Sequence, residues 1–261
     1  RDAFPAGETT TVVLATGENF PDALSASGLA GAVDGPVLLT KRDTLYRGLL
    51  SEFDRLGVKK VYILGSTAAI SAQQEGLIRA LGYTVERIAG ADRYATSAAV
   101  AREVDEVRDV DSDTPVFVAL GDSYPDALAV APAAFAADGV VLLVGPKGAS
   151  ASVASAVLAL GLKSGYVVGG QVVLPDGSLA GLNVAGLGTE RIAGGKDRYE
   201  TAVQFADAAE ARGWLSFDRT GVATGAGFAD TLGAGAALGA SRGVLLLTER
   251  SALSASTAQS I

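Results

Sequence analysis

Gly17-Glu18-Asn19-Phe20-Pro21-Asp22-Ala23-Leu24 is followed 104 residues later by Gly121-Asp122-Ser123-Tyr124-Pro125-Asp126-Ala127-Leu128. A further 104 residues on, a degraded copy reads Gly225-Ala226-Gly227-Phe228-Ala229-Asp230-Thr231-Leu232. The same period relates Gly35-Pro36-Val37-Leu38-Leu39-Thr40 to Gly139-Val140-Val141-Leu142-Leu143-Val144 and to Gly243-Val244-Leu245-Leu246-Leu247-Thr248. It also relates Val61-Tyr62-Ile63-Leu64-Gly65 to Gly165-Tyr166-Val167-Val168-Gly169, and Arg87-Ile88-Ala89-Gly90 to Arg191-Ile192-Ala193-Gly194. A fixed period of this kind is the mark of a repeated structural unit.

Within one unit, short continuously apolar runs alternate with helical stretches. Helix is expected over 92–104, strand over 116–120, and a helix opening at Pro125, the favoured first-turn place for proline. Strand 140–144, helix 152–160, strand 165–168, an irregular or helical stretch and strand 191–193 follow. Apolar strands between helices indicate a parallel sheet covered on both faces. Each unit is therefore expected to be α/β, a three-layer α/β/α module of Rossmann-like or flavodoxin-like type. The boundaries are 1–91 for the first unit, without its leading segment; 92–195 for the complete second; and 196–261 for a truncated third. The acidic, breaker-rich stretch 103–113 reads as an exposed loop. The third copy stops before its third strand, so the chain is expected to be part of a longer one.

Composition narrows the chemistry. Hydrophobic residues make up 49% and charged residues 19% of 261 residues, a globular balance. A net charge of −8 with no basic run disfavours nucleic acid. Cysteine and histidine are both absent, which removes disulfides, thiolate and imidazole metal ligands and the commonest general base. No metal and no cofactor is expected. Methionine is absent too, and with the chain opening at Arg1 no signal peptide is there to read. The apolar stretch 127–145 contains Pro132 and an Asp138-Gly139 turn, so it divides into helix and strand and gives no reason to expect membrane insertion. Gly225-x-Gly227-x-x-Asp230 lacks the third glycine of a dinucleotide loop, and the sister copies lack the second.

The recurring charged residues are the candidate functional ones. Asp22, Asp126 and Asp230 fall in the first turn of a helix, where a carboxylate caps open N–H groups. Asp92-Arg93-Tyr94 and Asp197-Arg198-Tyr199 open helices, with the aspartates as caps and the arginines either locking neighbouring units or presenting forks to anionic groups of a polymer. Arg42, Lys147 and Arg250 follow the second strand of each unit, at the carboxyl end of the sheet where open α/β sheets bind ligands. The Ala/Gly-rich helix after the Pro-Asp-Ala-Leu motif, such as 232–240, needs close backbone packing to offset its glycines.

Arg87-Ile88-Ala89-Gly90-Ala91-Asp92-Arg93-Tyr94-Ala95-Thr96-Ser97-Ala98, with the Pro-Asp-Ala-Leu motif and the Pro-Val-Leu-Leu-Thr strand, resembles the type 2 cell-wall-binding repeat of Gram-positive surface proteins. The resemblance spans essentially the whole chain and departs from the family where Ala229 replaces proline. It implies three units about a pseudo-threefold axis, an extracellular place at the cell wall or surface, and non-covalent attachment to an anionic wall polymer or polysaccharide. It also implies an effector domain outside this chain. The expected function is non-catalytic wall binding, with Arg93 and Arg198 as the chief polymer contacts and Arg42, Lys147 and Arg250 as weaker ones. A structural or adhesive surface protein, or an α/β enzyme acting on a sugar or phosphate substrate, are the alternatives.

Overall fold

A computed structural model describes residues 2–261. In the first unit, strand β1 (Thr11–Thr16) leads through a 3-10 turn (Pro21–Ser25) into α1 (Ala26–Ala32). Strand β2 (Val37–Thr40), α2 (Arg47–Leu56), β3 (Lys60–Leu64), α3 (Ala72–Ala80) and β4 (Thr84–Ile88) complete it. The second runs α4 (Arg93–Arg108), β5 (Pro115–Leu120), α5 (Pro125–Ala129), α6 (Ala131–Ala136), β6 (Val140–Val144), α7 (Ala151–Ala159), β7 (Ser164–Val168), α8 (Ala180–Val184) and β8 (Gly188–Ala193). The third runs α9 (Arg198–Ala211), β9 (Ser216–Thr224), α10 (Ala229–Ala240), β10 (Gly243–Thr248) and α11 (Ala255–Ser260).

All three sheets are parallel. Their orders are β2-β1-β3-β4, β6-β5-β7-β8 and β10-β9. The four-stranded order is that of a flavodoxin-type sheet, which resolves the choice the sequence left open. One expectation was wrong: the stretch from Glu103 is not loop, because α4 continues to Arg108 and only then breaks, at Asp109 with a left-handed φ of 53°. Val100, Ala101 and Val104 are buried and carry the helical period through the acidic residues.

The units meet on a common axis. Helices α1, α6 and α10 each touch the other two. Along the axis, equivalent residues form layers at helical spacing. Phe20, Tyr124 and Phe228 come first, each ring 5.3, 5.6 or 5.9 Å from the other two. Buried Leu24, Leu128 and Leu232 follow, then the small residues Ser27, Ala131 and Gly235. The last layer pairs one large residue, Phe135, with two glycines. A Cβ on Gly31 would stand 2.6 Å from the Phe135 carbonyl oxygen, and one on Gly239 2.4 Å from the Phe135 Cβ. Gly235 is as tight, 2.5 Å from the Ala131 Cβ. The helical glycines therefore sit where backbones approach too closely for a side chain, which compensates their low helix propensity.

The leading helix of a unit covers the open edge of its own sheet and also bonds to the preceding unit. The Ser97 hydroxyl on α4 accepts from the Leu143 N–H of edge strand β6 at 3.1 Å, which blunts that edge. Arg108 at the end of α4 donates to the Gly31 and Ala32 carbonyls at the end of α1 (2.7 and 2.9 Å) and pairs with Asp138 at the matching turn of the second unit. Thus α4 is bonded to two units at once.

Gly31→Leu should destabilise the chain by about 1–3 kcal/mol through overpacking. Gly76→Ala, in the middle of α3 with open space around it, should stabilise it by about 0.5–1 kcal/mol. Denaturant unfolding of the two variants, read against the parent, checks both signs.

Candidate functional site

In a sheet ordered β2-β1-β3-β4, the connections leave β1 and β3 in opposite directions. Their carboxyl ends therefore frame a crevice, the position at which open α/β sheets take ligands. In the first unit a cleft of about 180 Å³ lies there, lined by Thr16, Glu18, Asn19 and Asp22 from the β1 side, Ser66 and Ala69 from the β3 side, and Arg42 after β2. In the second, Ser123 and Asp126 face Gln171, Val172 and Val173 across about 400 Å³, closed on a third side by Lys196 and Arg198. In the third, an open depression of about 700 Å³ is lined by Thr224, Phe228, Asp230 and Arg250, with Tyr124 of the second unit as a wall. All three clefts adjoin loops that carry the axial rings Phe20, Tyr124 and Phe228. They are grouped around one end of the axis.

The arginine of the Arg-Ile-Ala-Gly strand shapes each crevice. Arg87 donates to the carbonyls of Gly65 (2.8 Å), Ser66 (3.1 Å) and Ile70 (2.9 Å), and pairs with Glu75 at 2.8 Å. Arg191 does the same work in the second unit, on Gly169, Leu174 and Asp176. These guanidinium forks hold the loop after the third strand, and the sequence reading had passed them over although both copies carry them.

Asp92 and Asp197 cap α4 and α9 as expected. Asp92 accepts from Ala95 N at 2.8 Å, and Asp197 from Tyr199 N and Glu200 N at 3.0 and 2.9 Å. Each following arginine bonds a backbone carbonyl of its own unit and lies against a ring of the preceding one. Arg93 donates to the Gly121 carbonyl at 2.7 Å and lies 5.8 Å from the Phe20 ring centre, while Tyr94 donates to Asp122 at 2.6 Å. Burial and then the Asp122 carboxylate push the Tyr94 phenol up to about 12. Arg198 donates to the Gly225 carbonyl and lies 5.7 Å from the Tyr124 ring centre. Gly121 and Gly225 must be glycine for this: a Cβ there would stand 2.7 Å from Tyr94 and from Tyr199. The Asp-Arg-Tyr segment is thus a staple that fastens each unit boundary to the axial ring cluster.

Asp22, Asp126 and Asp230 are a correction. None of them caps: the residues at the N-cap positions are Phe20's, Tyr124's and Phe228's, and no side-chain cap bond is made. Each aspartate stands two residues past the N-cap, still in the first turn, and its carboxylate is not bonded to the open N–H groups. Instead Asp22 and Asp126 form the cleft floors. Asp22 accepts from the Thr96 hydroxyl at 2.7 Å. In the second unit the loop Gly194-Gly195-Lys196-Asp197 is one residue longer than Gly90-Ala91-Asp92. There the matching Thr201 hydroxyl donates to the Asp197 carbonyl at 2.9 Å. Among the described residues, no hydrogen-bond donor reaches the Asp126 carboxylate. Burial raises its pKa above the ordinary carboxylate value, against the pull of Arg198 and Arg191. Asp230 is exposed.

Of the remaining candidates, Arg42 is half-exposed at the first cleft and paired to Asp43 at 2.6 Å. Arg250 is exposed at the third. Lys147 is exposed on the Gly145–Gly148 turn and does not line the second cleft.

Three tandem segments, 3–75, 87–178 and 191–261, match the family described as Cell wall binding domain 2. The chain belongs to that family. Its fold is also that of Cwp6 from Clostridium difficile, with a TM-score of 0.85 at 24% identity over 97% of this chain and 40% of that one. Cwp8 from the same organism gives 0.84 at 23% identity over 99% of this chain and 43% of that one. N-acetylmuramoyl-L-alanine amidase LytC of Bacillus subtilis is 29% identical over 89% of this chain and 44% of its own length. The chain thus spans less than half of each of these proteins. Family membership makes the chain a cell-wall-binding one and places it at the cell wall or surface. Among the described residues, no helix is long and apolar enough to cross a membrane.

Loss of a true cap and loss of a cleft carboxylate should read differently in stability. Asp197→Ala should cost about 0.5–2 kcal/mol. For Asp126 the folded pKa is raised, so its contribution to stability is full below the ordinary carboxylate range and is lost as pH rises through the raised value. Asp126→Asn removes that loss and should not lower the melting temperature at neutral pH. Thermal unfolding at neutral and acidic pH tests both expectations.

Proposed function

We propose that this segment is non-catalytic and retains a larger protein on an anionic wall polymer, gripping it at several clefts at once. The observation that carries the reading is the recurrence of the crevice at the carboxyl end of the sheet in the first two units, with an open depression at the matching strand ends of the third, all grouped around one end of the axis. Basic side chains stand at the cleft margins: Arg42 at the first, Lys196 and Arg198 at the second, Arg250 at the third. Lys147 adds charge on the outer turn of the second unit. Arg93 contributes through the staple, by holding the first two units in register.

A net charge of −8 does not oppose this. At physiological salt the Debye length is about 8 Å, so local geometry outweighs distant charge. Each cleft is open and its single contacts are weak. Linked sites on a repeating polymer compensate, because the second and third contacts form at high effective concentration. The family's name describes binding, and the amidase relative extends well beyond the matched region. In this reading the chain supplies retention and an attached domain supplies any chemistry.

The test is retention on purified walls, before and after chemical extraction of secondary polymers, across a salt series. Retention should fall with salt and with extraction, and no wall hydrolysis should accompany it. Arg42→Glu, Lys147→Glu and Arg250→Glu should each weaken retention only modestly and together abolish it, with folding unchanged. The Arg93→Ala, Arg198→Ala pair should lose both retention and stability. A folded triple variant retained like the parent in low and high salt contradicts the proposal.

A further inference from the structure

The three clefts are not equivalent, and the difference lies at their floors. In the first unit Thr96 occupies the Asp22 carboxylate, and the cleft is the smallest of the three. In the third, Asp230 is exposed in a shallow depression. In the second, the extra loop residue accompanies a cleft of about 400 Å³ over a carboxylate that no donor among the described residues reaches. A half-buried carboxylate without hydrogen-bond donors is incompletely compensated for its lost hydration, and perturbed groups in clefts are characteristic of binding sites.

The lining says what fits. Asp126 accepts hydrogen bonds only, and Ser123 adds a hydroxyl beside it. Gln171 gives one amide N–H to Asp176 at 2.8 Å, which leaves its second N–H and its carbonyl oxygen for a ligand. On one side stand Val172, 97% exposed, and Val173, an apolar surface at the mouth; Pro125 lies below. On the other stand Lys196, Arg198 and, behind them, Arg191. A cationic ligand would meet these three positive groups, and a phosphate would have to sit over the Asp126 carboxylate. A neutral ring with several hydroxyls on one side and a C–H face on the other meets neither obstacle.

We propose that the second-unit cleft is a subsite for a neutral pyranose, with Asp126 accepting from adjacent ring hydroxyls and Val172 and Val173 against the sugar's C–H face. The inference rests on the wall-binding reading and assigns it a division of labour: basic margins take the polymer's anionic groups, and this floor takes a sugar between them. The floor must be ionised to accept two hydroxyls. Facing it are Arg191 on β8, Arg198 on α9, and Lys196 and Asp197 on the intervening loop.

The test is amide-resolved NMR titration of the whole chain with methyl glycosides of glucose, mannose, galactose and N-acetylglucosamine, and with glycerol phosphate as the anionic probe. At least one neutral glycoside should give saturable shifts at Ser123, Gly170 and Gly195. Asp126→Asn should weaken that binding about tenfold or more, since a charge-assisted acceptor is lost, without lowering the melting temperature. In the parent, affinity should fall as pH drops from neutral into the acid range and the Asp126 carboxylate, whose pKa burial raises, takes up a proton. That measurement stands even if the variant fails to fold. Unchanged binding by Asp126→Asn, pH-independent binding, or shifts at these amides from glycerol phosphate alone would overturn the proposal. A parent retained by walls that binds none of the neutral glycosides overturns this inference and leaves wall binding intact. A parent not retained by walls overturns the wall-binding reading itself.

Discussion

Three short helices of small residues have to touch one another along a single line, and most of the molecule follows from that contact. A Cβ added to Gly31, Gly235 or Gly239 would stand 2.6, 2.5 or 2.4 Å from an atom of the neighbouring helix, so any side chain there would push the units apart. Phe135 fills the space that Gly31 and Gly239 leave. Interiors pack at crystal-like density, and a layer of one phenylalanine and two glycines fills as well as three medium residues. It also distinguishes the units, because only the second supplies the large side chain. The repeat is therefore symmetric in backbone and asymmetric in its packing, which gives each unit one place around the axis.

At the other end of the same axis, the ring cluster of Phe20, Tyr124 and Phe228 joins packing to function. Each ring precedes a cleft-floor aspartate by two residues, and Arg93 and Arg198 of the Asp-Arg-Tyr staples lie against two of them. The second cleft is consequently built from two units, with floor and one wall from the second unit and its far wall from the segment that opens the third. Displacing a staple would alter a binding surface as well as an interface. This explains how guanidinium groups can recur with the repeat while being committed largely to backbone carbonyls.

Much of this was legible in the sequence because the physical signals were local or periodic. Apolar runs such as 140–144 gave the parallel strands, Pro125 the helix start, and Asp92 and Asp197 true caps. The Ala/Gly-rich helices announced close packing through the energetic cost of their glycines. What was not legible depended on three-dimensional neighbours. Asp126 sits where a capping aspartate could be, but helix phase turns it to the crevice, and one inserted loop residue decides whether a threonine satisfies it. The helix runs four residues past its expected end at 104, where Arg108 bonds the Gly31 and Ala32 carbonyls, neighbours that the local sequence does not show. Arg87 and Arg191 lay within strand motifs, and nothing in the local sequence said that their forks would reach over to hold the next loop. The recurrence of an aromatic residue before each Pro-Asp or Ala-Asp pair was visible, but its meaning required the axis.

On the proposed reading the wall polymer lies across the end of the axis where the three clefts meet. Hydrogen exchange on the chain bound to solubilised wall polymer, compared with the free chain, tests it most directly. Added protection is expected at the loops 17–22, 66–70, 121–126, 170–173, 194–198 and 226–230, and none on the outer helices α3, α7 and α8. Protection confined to those outer helices, with the loops exchanging as in the free chain, would contradict it.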